Sequence, residues 1–279
     1  MTMSAIDFEH TRVRTSARGL FDAERGLTAL GFVLLGLILP TLVAGLLDTR
    51  ITNDVSVWTK PLKFQVSLGI YVLTLAFFAR YLPEGTTSKR WYRIYIGAVI
   101  AAIVLETAWL MVAAANGVPA HFNTTPVGER IYQSMGALAV VLTSASAVYA
   151  WQIARNADTA LPPVVKESIV VGLALVLPLT LVTAGTMSAS GGHWVGGVAS
   201  DANGLAIFGW ARDGGDLRVA HFFATHAMHF LPVAGLVSLM IFGRDDRRLL
   251  RLATFGFVVL VGFTFLQALS GQPFLGFLV

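Results

Sequence analysis

The 279-residue chain contains no cysteine. That excludes disulfides, all-thiolate Fe–S clusters and thiolate metal sites. Charge is scarce too: Asp, Glu, Lys and Arg make up 13% of the residues, about half the share in a soluble domain. No glycine-rich phosphate loop ending in lysine and Ser/Thr occurs, and no HExxH metal motif. The last apolar stretch holds no lysine, which removes the Schiff-base residue of a retinal protein.

What is present is apolar: 55% of the residues are hydrophobic and the mean hydropathy is +0.69. Several apolar runs reach the ~20 residues that a helix needs to cross a bilayer. Backbone groups in lipid must bond internally, so helices or a closed barrel are the options. The runs lack the alternation of barrel strands, which selects helices. The sequence therefore predicts an all-α integral membrane protein, a bundle of seven transmembrane helices. The spans are 26–47, 60–81, 91–115, 131–152, 167–190, 217–242 and 249–270. Pro40, Pro178 and Pro232 fall inside spans and predict kinks. The first run is too long for a signal-peptide core and is read as a retained helix.

The net charge of +4 is not a nucleic-acid signal, because the basic residues sit mostly in short loops. There they set topology. Arg12, Arg14, Arg18 and Arg25 precede span 1; Arg80, Lys89, Arg90 and Arg93 join spans 2 and 3; Arg244, Arg247, Arg248 and Arg251 join spans 6 and 7. All three segments fall on one side. The expected orientation is N-terminus cytoplasmic and C-terminus periplasmic. Residues 1–24 read as a cytoplasmic tail, solvated or lying at the interface on Ile6, Phe8, Val13, Leu20 and Phe21, and 25–279 as one domain. The longest loop, 191–216, is glycine-rich, with Trp194 and Trp210. It is long enough to fold over the bundle as a cap, or to remain a solvated loop.

The unusual side chains gather at the end of the bundle that carries this loop. Span 6 holds three of the six histidines. At 100° per residue, Arg218, His221, Thr225, His226 and His229 share a sector of roughly 140°. Phe223, Ala227, Phe230 and Leu231 lie opposite, which predicts a polar interior face and a lipid face. Lys60 and Lys63 open span 2, where two ammonium groups oppose the helix dipole and call for a negative neighbour: Asp54, Glu106, Asp216 or an anionic ligand. Glu106 is the one carboxylate deep within a span, ten residues before Asn116 and so ~15 Å from the end of its helix. His229 is expected at similar depth, with pairing of Glu106 to His229 or Lys63 as the proton-handling unit. Arg218, His221, Lys60 and His121 would line the mouth, and Gln65 and Gln267 the wall. Ionisable groups at membrane depth are a default functional hypothesis; the plain alternative is interhelical hydrogen bonding that only holds the bundle.

His226 and His229 are the candidate metal ligands, with His121 or Glu106 as a third. Imidazole and carboxylate without thiolate suit a divalent transition metal. The same histidines would serve as axial ligands to haem b, with Lys60, Lys63 and Arg218 at the propionates. The second axial ligand would have to come from His121, His193 or Met135; otherwise His193 reads as a solvated loop residue.

The segments WTKPLKFQVS, HFNTT and DLRVAHFFATHAMHFLP resemble those of a group of uncharacterised bacterial multi-pass proteins. The resemblance implies a bacterial inner membrane and assigns no residue a role. Three functions follow from the residues. The first is a metal- or haem-binding redox or enzymatic site, with His226 and His229 as ligands and Glu106 as the catalytic, proton-handling group. The second is a transporter or sensor of a small anion bound by Lys60, Lys63, Arg218, His121, His221 and Asp216 and coupled to protons. The third is a structural or assembly protein. The lipid bilayer is the one partner common to all three.

Overall fold

The computed structural model describes residues 16–276. The tail residues Ile6, Phe8, Val13, Arg12 and Arg14 lie outside that range. Nine α-helices are found among the described residues: α1 Ala17–Ala23, α2 Arg25–Gly36, α3 Ile38–Leu47, α4 Thr59–Phe78, α5 Arg90–Asn116, α6 Pro126–Arg155, α7 Pro163–Ala189, α8 Leu217–Phe242 and α9 Arg248–Leu269. Two 3-10 turns, Ala79–Tyr81 and Thr86–Ser88, and two short antiparallel ladders accompany them. One pairs β1 (Ile51–Thr52) with β2 (Val55–Ser56), and the other pairs β3 (Trp194–Val195) with β4 (Gly215–Asp216). With α2 and α3 counted together and the turn after α4 included, seven helices are long and apolar enough to cross a membrane.

Local chemistry explains the boundaries. Span 1 breaks after Gly36, where the ring of Pro40 would meet the carbonyl four residues earlier. Pro178 and Pro232 stay inside continuous helices. Helix α6 starts at Pro126, earlier than hydropathy suggested, because Thr125 caps it by accepting from Gly128 N at 3.1 Å and proline suits the first turn. Helix α5 stops at Gly117, whose φ of +67° suits a residue without Cβ. The expected tail is helical from Ala17 to Ala23, with Thr28 Oγ1 donating to Leu20 O and the Phe21 ring stacked on Phe32.

Helices α7 and α8 make the most extensive pairing, flanked by α6 and α9; α2 packs on α4 and α5 on α6. The α7–α8 seam is built from small residues, the usual device where lipid supplies no hydrophobic drive between helices. A Cβ on Gly172 would meet Ala227 O at 2.9 Å, and one on Gly235 would overlap Ser168. This seam corrects the expected faces of α8. Ala227 and Leu231, assigned to lipid, are fully buried with Ala220, Ala224 and Met228, while Phe230 is exposed as expected. The histidine sector lies beside the buried stripe and is only partly buried. A close helix approach selects the smallest side chains, so an alanine–glycine stripe wins the core over the bulky polar stripe. On the side facing α4, the backbones of α4 and α8 stay apart.

The α7–α8 seam predicts a sharp size limit. Gly235→Val should cost about 1–3 kcal/mol through overpacking, read as a lower melting temperature in detergent, whereas Gly256→Val on the open surface of α9 should stay within about 0.5 kcal/mol.

Candidate functional site

The site is built at the end of the bundle where α4 and α8 begin and α5, α7 and α9 end. There the 191–216 loop forms a folded cap. Its two ends are zipped by the β3–β4 ladder, and Leu217 N donates to His193 O at 2.9 Å. Asp216 caps α8: its Oδ1 accepts from Arg218 N at 3.0 Å, and its Oδ2 accepts from Ala211 N, inside the loop, at 2.9 Å. The Arg218 guanidinium grips Asp216 through both oxygens, with Nε 2.9 Å from Oδ1 and Nη2 2.6 Å from Oδ2. Arg218 Nη2 also donates to Gly209 O at 2.7 Å and lies 2.8 Å from Asp201 Oδ1. Asp201 N in turn donates to Asn53 O, which ties the cap to the β1–β2 hairpin. Trp210 is buried, stacked on Phe208 and edge-on to Phe222. Lys63 reaches up from α4 and donates to Phe208 O at 2.7 Å.

His193 is buried rather than solvated, with its ring 3.8 Å from that of Trp194 and its Nε2 3.7 Å from Asp201 Oδ1. Burial pushes the imidazole below its ordinary pKa, against the opposing pull of Asp201. Burial would raise the Asp201 carboxyl, but the neighbouring His193 ring and the charge of Arg218 outweigh it and hold Asp201 low.

Beneath the cap sit Lys60, His121 and Glu106. His121 lies edge-on to Phe64 and tilted against Tyr132, and burial, with the Lys60 charge as a second cause, holds its pKa down at about 3. Glu106 is 4% exposed and makes no hydrogen bond or ion pair among the described residues; its Oε1 is buried without a partner. Lys60 acts on it electrostatically and also feels Arg218 and Asp201, yet Lys60 itself bonds none of the described residues. Gln65 is wholly buried beside this group, donating to Thr41 Oγ1 at 2.8 Å while its own Oε1 is unpartnered. Gln267 instead holds the chain after α9, donating to Pro273 O.

The expected pairing of Glu106 with His229 or Lys63 is not formed. His229 lies twelve residues into α8, so ~18 Å from the capped end, about half a turn deeper than the ~15 Å expected for Glu106. It meets α4 instead: Nε2 is 3.0 Å from Thr74 Oγ1, and Nδ1 is 3.1 Å from His226 Nδ1. His221 faces α7, with Nδ1 3.2 Å from Thr183 Oγ1. The three histidines therefore point to two different neighbours. Among the described residues, no group of three or more His, Asp or Glu is placed to hold a metal ion. The candidates for a second haem ligand are engaged elsewhere: Met135 packs in a small core with Leu110 and Ala113, and His121 and His193 are held by aromatic rings. Arg218, expected to bind an anion, is already paired with two carboxylates.

Asp201, Asn53, Thr74 and Thr183 had no sequence signal. They are ordinary residue types, and only the packing of loops and helices gives them partners. Comparison with known proteins finds no matching family model, no matching curated protein and no matching solved structure.

Acid should loosen this end. An unfolded chain protonates His121 and His193 near pH 6.5, whereas the folded protein keeps His121 neutral down to about pH 3. The stability held by His121 is thus fully present above pH 6.5 and falls as the pH drops toward 3, by about 1.4 kcal/mol per pH unit; His193 adds to the loss in the same direction. Melting temperature against pH should show that slope, reduced in His121→Gln. Asp216→Ala should cost about 1–3 kcal/mol, because α8 loses its N-cap and Arg218 one of its two carboxylates, and expose residues 196–214 to limited proteolysis.

Proposed function

We propose that this polytopic membrane protein binds a small anion beneath the cap and couples its passage or sensing to a proton on Glu106. We place it in a bacterial cytoplasmic membrane with the cap on the periplasmic side, on the strength of the arginine-rich loops at the opposite end. The observation that carries the reading is the pair formed by Lys60 and Glu106. An ammonium and a buried carboxylate attract each other across a gap and neither is bonded. Unpaired charge in a low dielectric is costly, and a ligand between the two would remove that cost.

The charge count points to an anion accompanied by a proton. Three cations (Lys60, Lys63 and Arg218) lie near three carboxylates (Asp201, Asp216 and Glu106), so with all six ionised the group is neutral. An entering anion makes it net negative, and protonation of Glu106 restores neutrality. Lys60 would be the main anion contact and Lys63 a second one at the cap, while His121, Phe64 and Tyr132 would form the wall. Arg218 and Asp216 would shape the site by holding the cap.

In detergent, small inorganic and carboxylate anions should raise the melting temperature of the wild type. Lys60→Ala should weaken that binding by about 10–100-fold, the range for losing one charge-assisted contact. Glu106→Gln should keep binding and abolish the accompanying proton uptake. If no anion shifts the melting temperature and Glu106→Gln alters stability alone, the polar residues serve helix packing.

A second reading keeps a metal at His226 and His229. Their Nδ1 atoms, 3.1 Å apart, stand near the separation of two imidazole ligands on one ion with bonds of about 2.0–2.1 Å. Two donors are too few for a structural or catalytic site. Elemental analysis and an oxidised-minus-reduced absorption spectrum of purified protein test for metal and haem together. Stoichiometric metal, or a Soret band lost in His226→Ala, would favour this reading.

A further inference from the structure

We propose that the groove between α1 and α4 binds one anionic phospholipid, with its phosphate on Arg80 and an acyl chain lying along α4. The site stands at the end of the bundle opposite the cap. The spanning helix that contains α4 runs from Thr59 to Tyr81, so Arg80 belongs to its last turn, at the boundary between membrane and water. An open apolar groove and a cation without a counter-charge meet there.

The groove has a volume of about 310 Å³ and is lined by Leu20 of α1 and by Ile70, Leu73, Thr74 and Phe77 of α4. Its one hydroxyl is already engaged: Thr74 Oγ1 donates to Ile70 O at 2.8 Å and lies 3.0 Å from His229 Nε2. From Ile70 to Phe77 is about two turns, so ~10 Å along α4. A long apolar trough suits a stretch of acyl chain and gives a soluble ion nothing to hold.

Phe77, at the outer end of the groove, carries the guanidinium of Arg80 on its ring, with Cζ 4.2 Å from the centroid. Arg80 Nε donates to Phe77 O at 2.8 Å. The edge left over is formed by the two Nη nitrogens. Nη2 is buried without an acceptor, and Nη1 bonds none of the described residues. No described carboxylate acts on Arg80; Tyr81 is the ionisable neighbour that does. A guanidinium laid on an aromatic ring with its outer edge bare matches the geometry of a phosphate, and basic pockets beside spanning helices at the membrane surface take anionic headgroups. A second groove, between α7 and α9, has Glu167 as well as Arg251 in its wall. A phosphate there would meet a carboxylate, so the α1–α4 groove is the better anion site.

The test uses the full chain purified in detergent, with lipid retention read by native mass spectrometry. The probes are dioleoyl phosphatidylglycerol and dioleoyl phosphatidylcholine, which share their chains and differ in net charge. Wild type should retain one phosphatidylglycerol, about tenfold more tightly than phosphatidylcholine. Arg80→Gln should weaken phosphatidylglycerol by about 10–100-fold, the range for one charge-assisted contact. Arg248→Gln removes a side chain that is 94% exposed at the same end of the bundle and should change nothing. Ile70→Trp, at an exposed position in the groove wall, should weaken both lipids with Arg80 intact. Equal retention of the two lipids by wild type, equal losses in Arg80→Gln and Arg248→Gln, or undiminished retention in Ile70→Trp overturns the proposal. So does displacement of the lipid by millimolar inorganic phosphate, which would mean that the groove holds no chain. Lys60→Ala should retain the lipid as wild type does, so this site and the anion site beneath the cap fail separately.

Discussion

The paired grip of Arg218 on Asp216 is the contact on which the capped end of the molecule depends. Asp216 meets two demands at once, starting α8 as its N-cap and accepting a backbone proton from inside the loop. Arg218 then spreads one positive charge over two carboxylates and a carbonyl from three parts of the cap. In a water-poor setting such a network is stable only when nearly every member is satisfied. Arg218 is therefore withdrawn from ligand binding, and Lys60 is left as the cation in the interior without a bonded partner.

A second division follows from helix packing. Small residues let α7 and α8 approach closely, and this seam takes the apolar stripe of α8. The histidines are displaced to its flanks, one toward α7 and two toward α4. The α4–α8 side is bridged within the spans by His229 and Thr74 rather than by backbone approach. Charge is thus concentrated under the cap, and neutral, reversible hydrogen-bond donors lie deeper. That is the ordering expected if bare charge is tolerated only near the end of a bundle.

Much of the fold was legible in the residues. Apolar run length marks a spanning helix whatever its neighbours, so all seven spans were readable, and Pro40 marked the break in the first of them. Composition also placed Lys60, His121 and Glu106 at one end, because alternating spans bring the ends of α5 and the starts of α4 and α8 together. The pairings within that set were not legible. Depth counted along one helix does not say which neighbouring helix a side chain faces, and His229 turns to Thr74 on α4 rather than to Glu106 on α5. The role of His193 was likewise hidden, since a loop histidine is solvated or buried according to what the loop folds against.

The sequence by itself determined a polytopic helical membrane protein with ionisable groups gathered toward one end, because burial of the backbone in lipid and the cost of charge there are set by residue type and run length. Only the tertiary structure decided which of those groups meet. It folded the 191–216 loop into a cap, gave Arg218 to Asp216 and Asp201, left Lys60 and Glu106 within electrostatic reach of each other and unbonded among the described residues, and joined His226 and His229 to Thr74. Side-chain partnership at distances near 3 Å depends on the rotation and register of whole helices, which packing against other helices fixes and periodicity along a single chain does not.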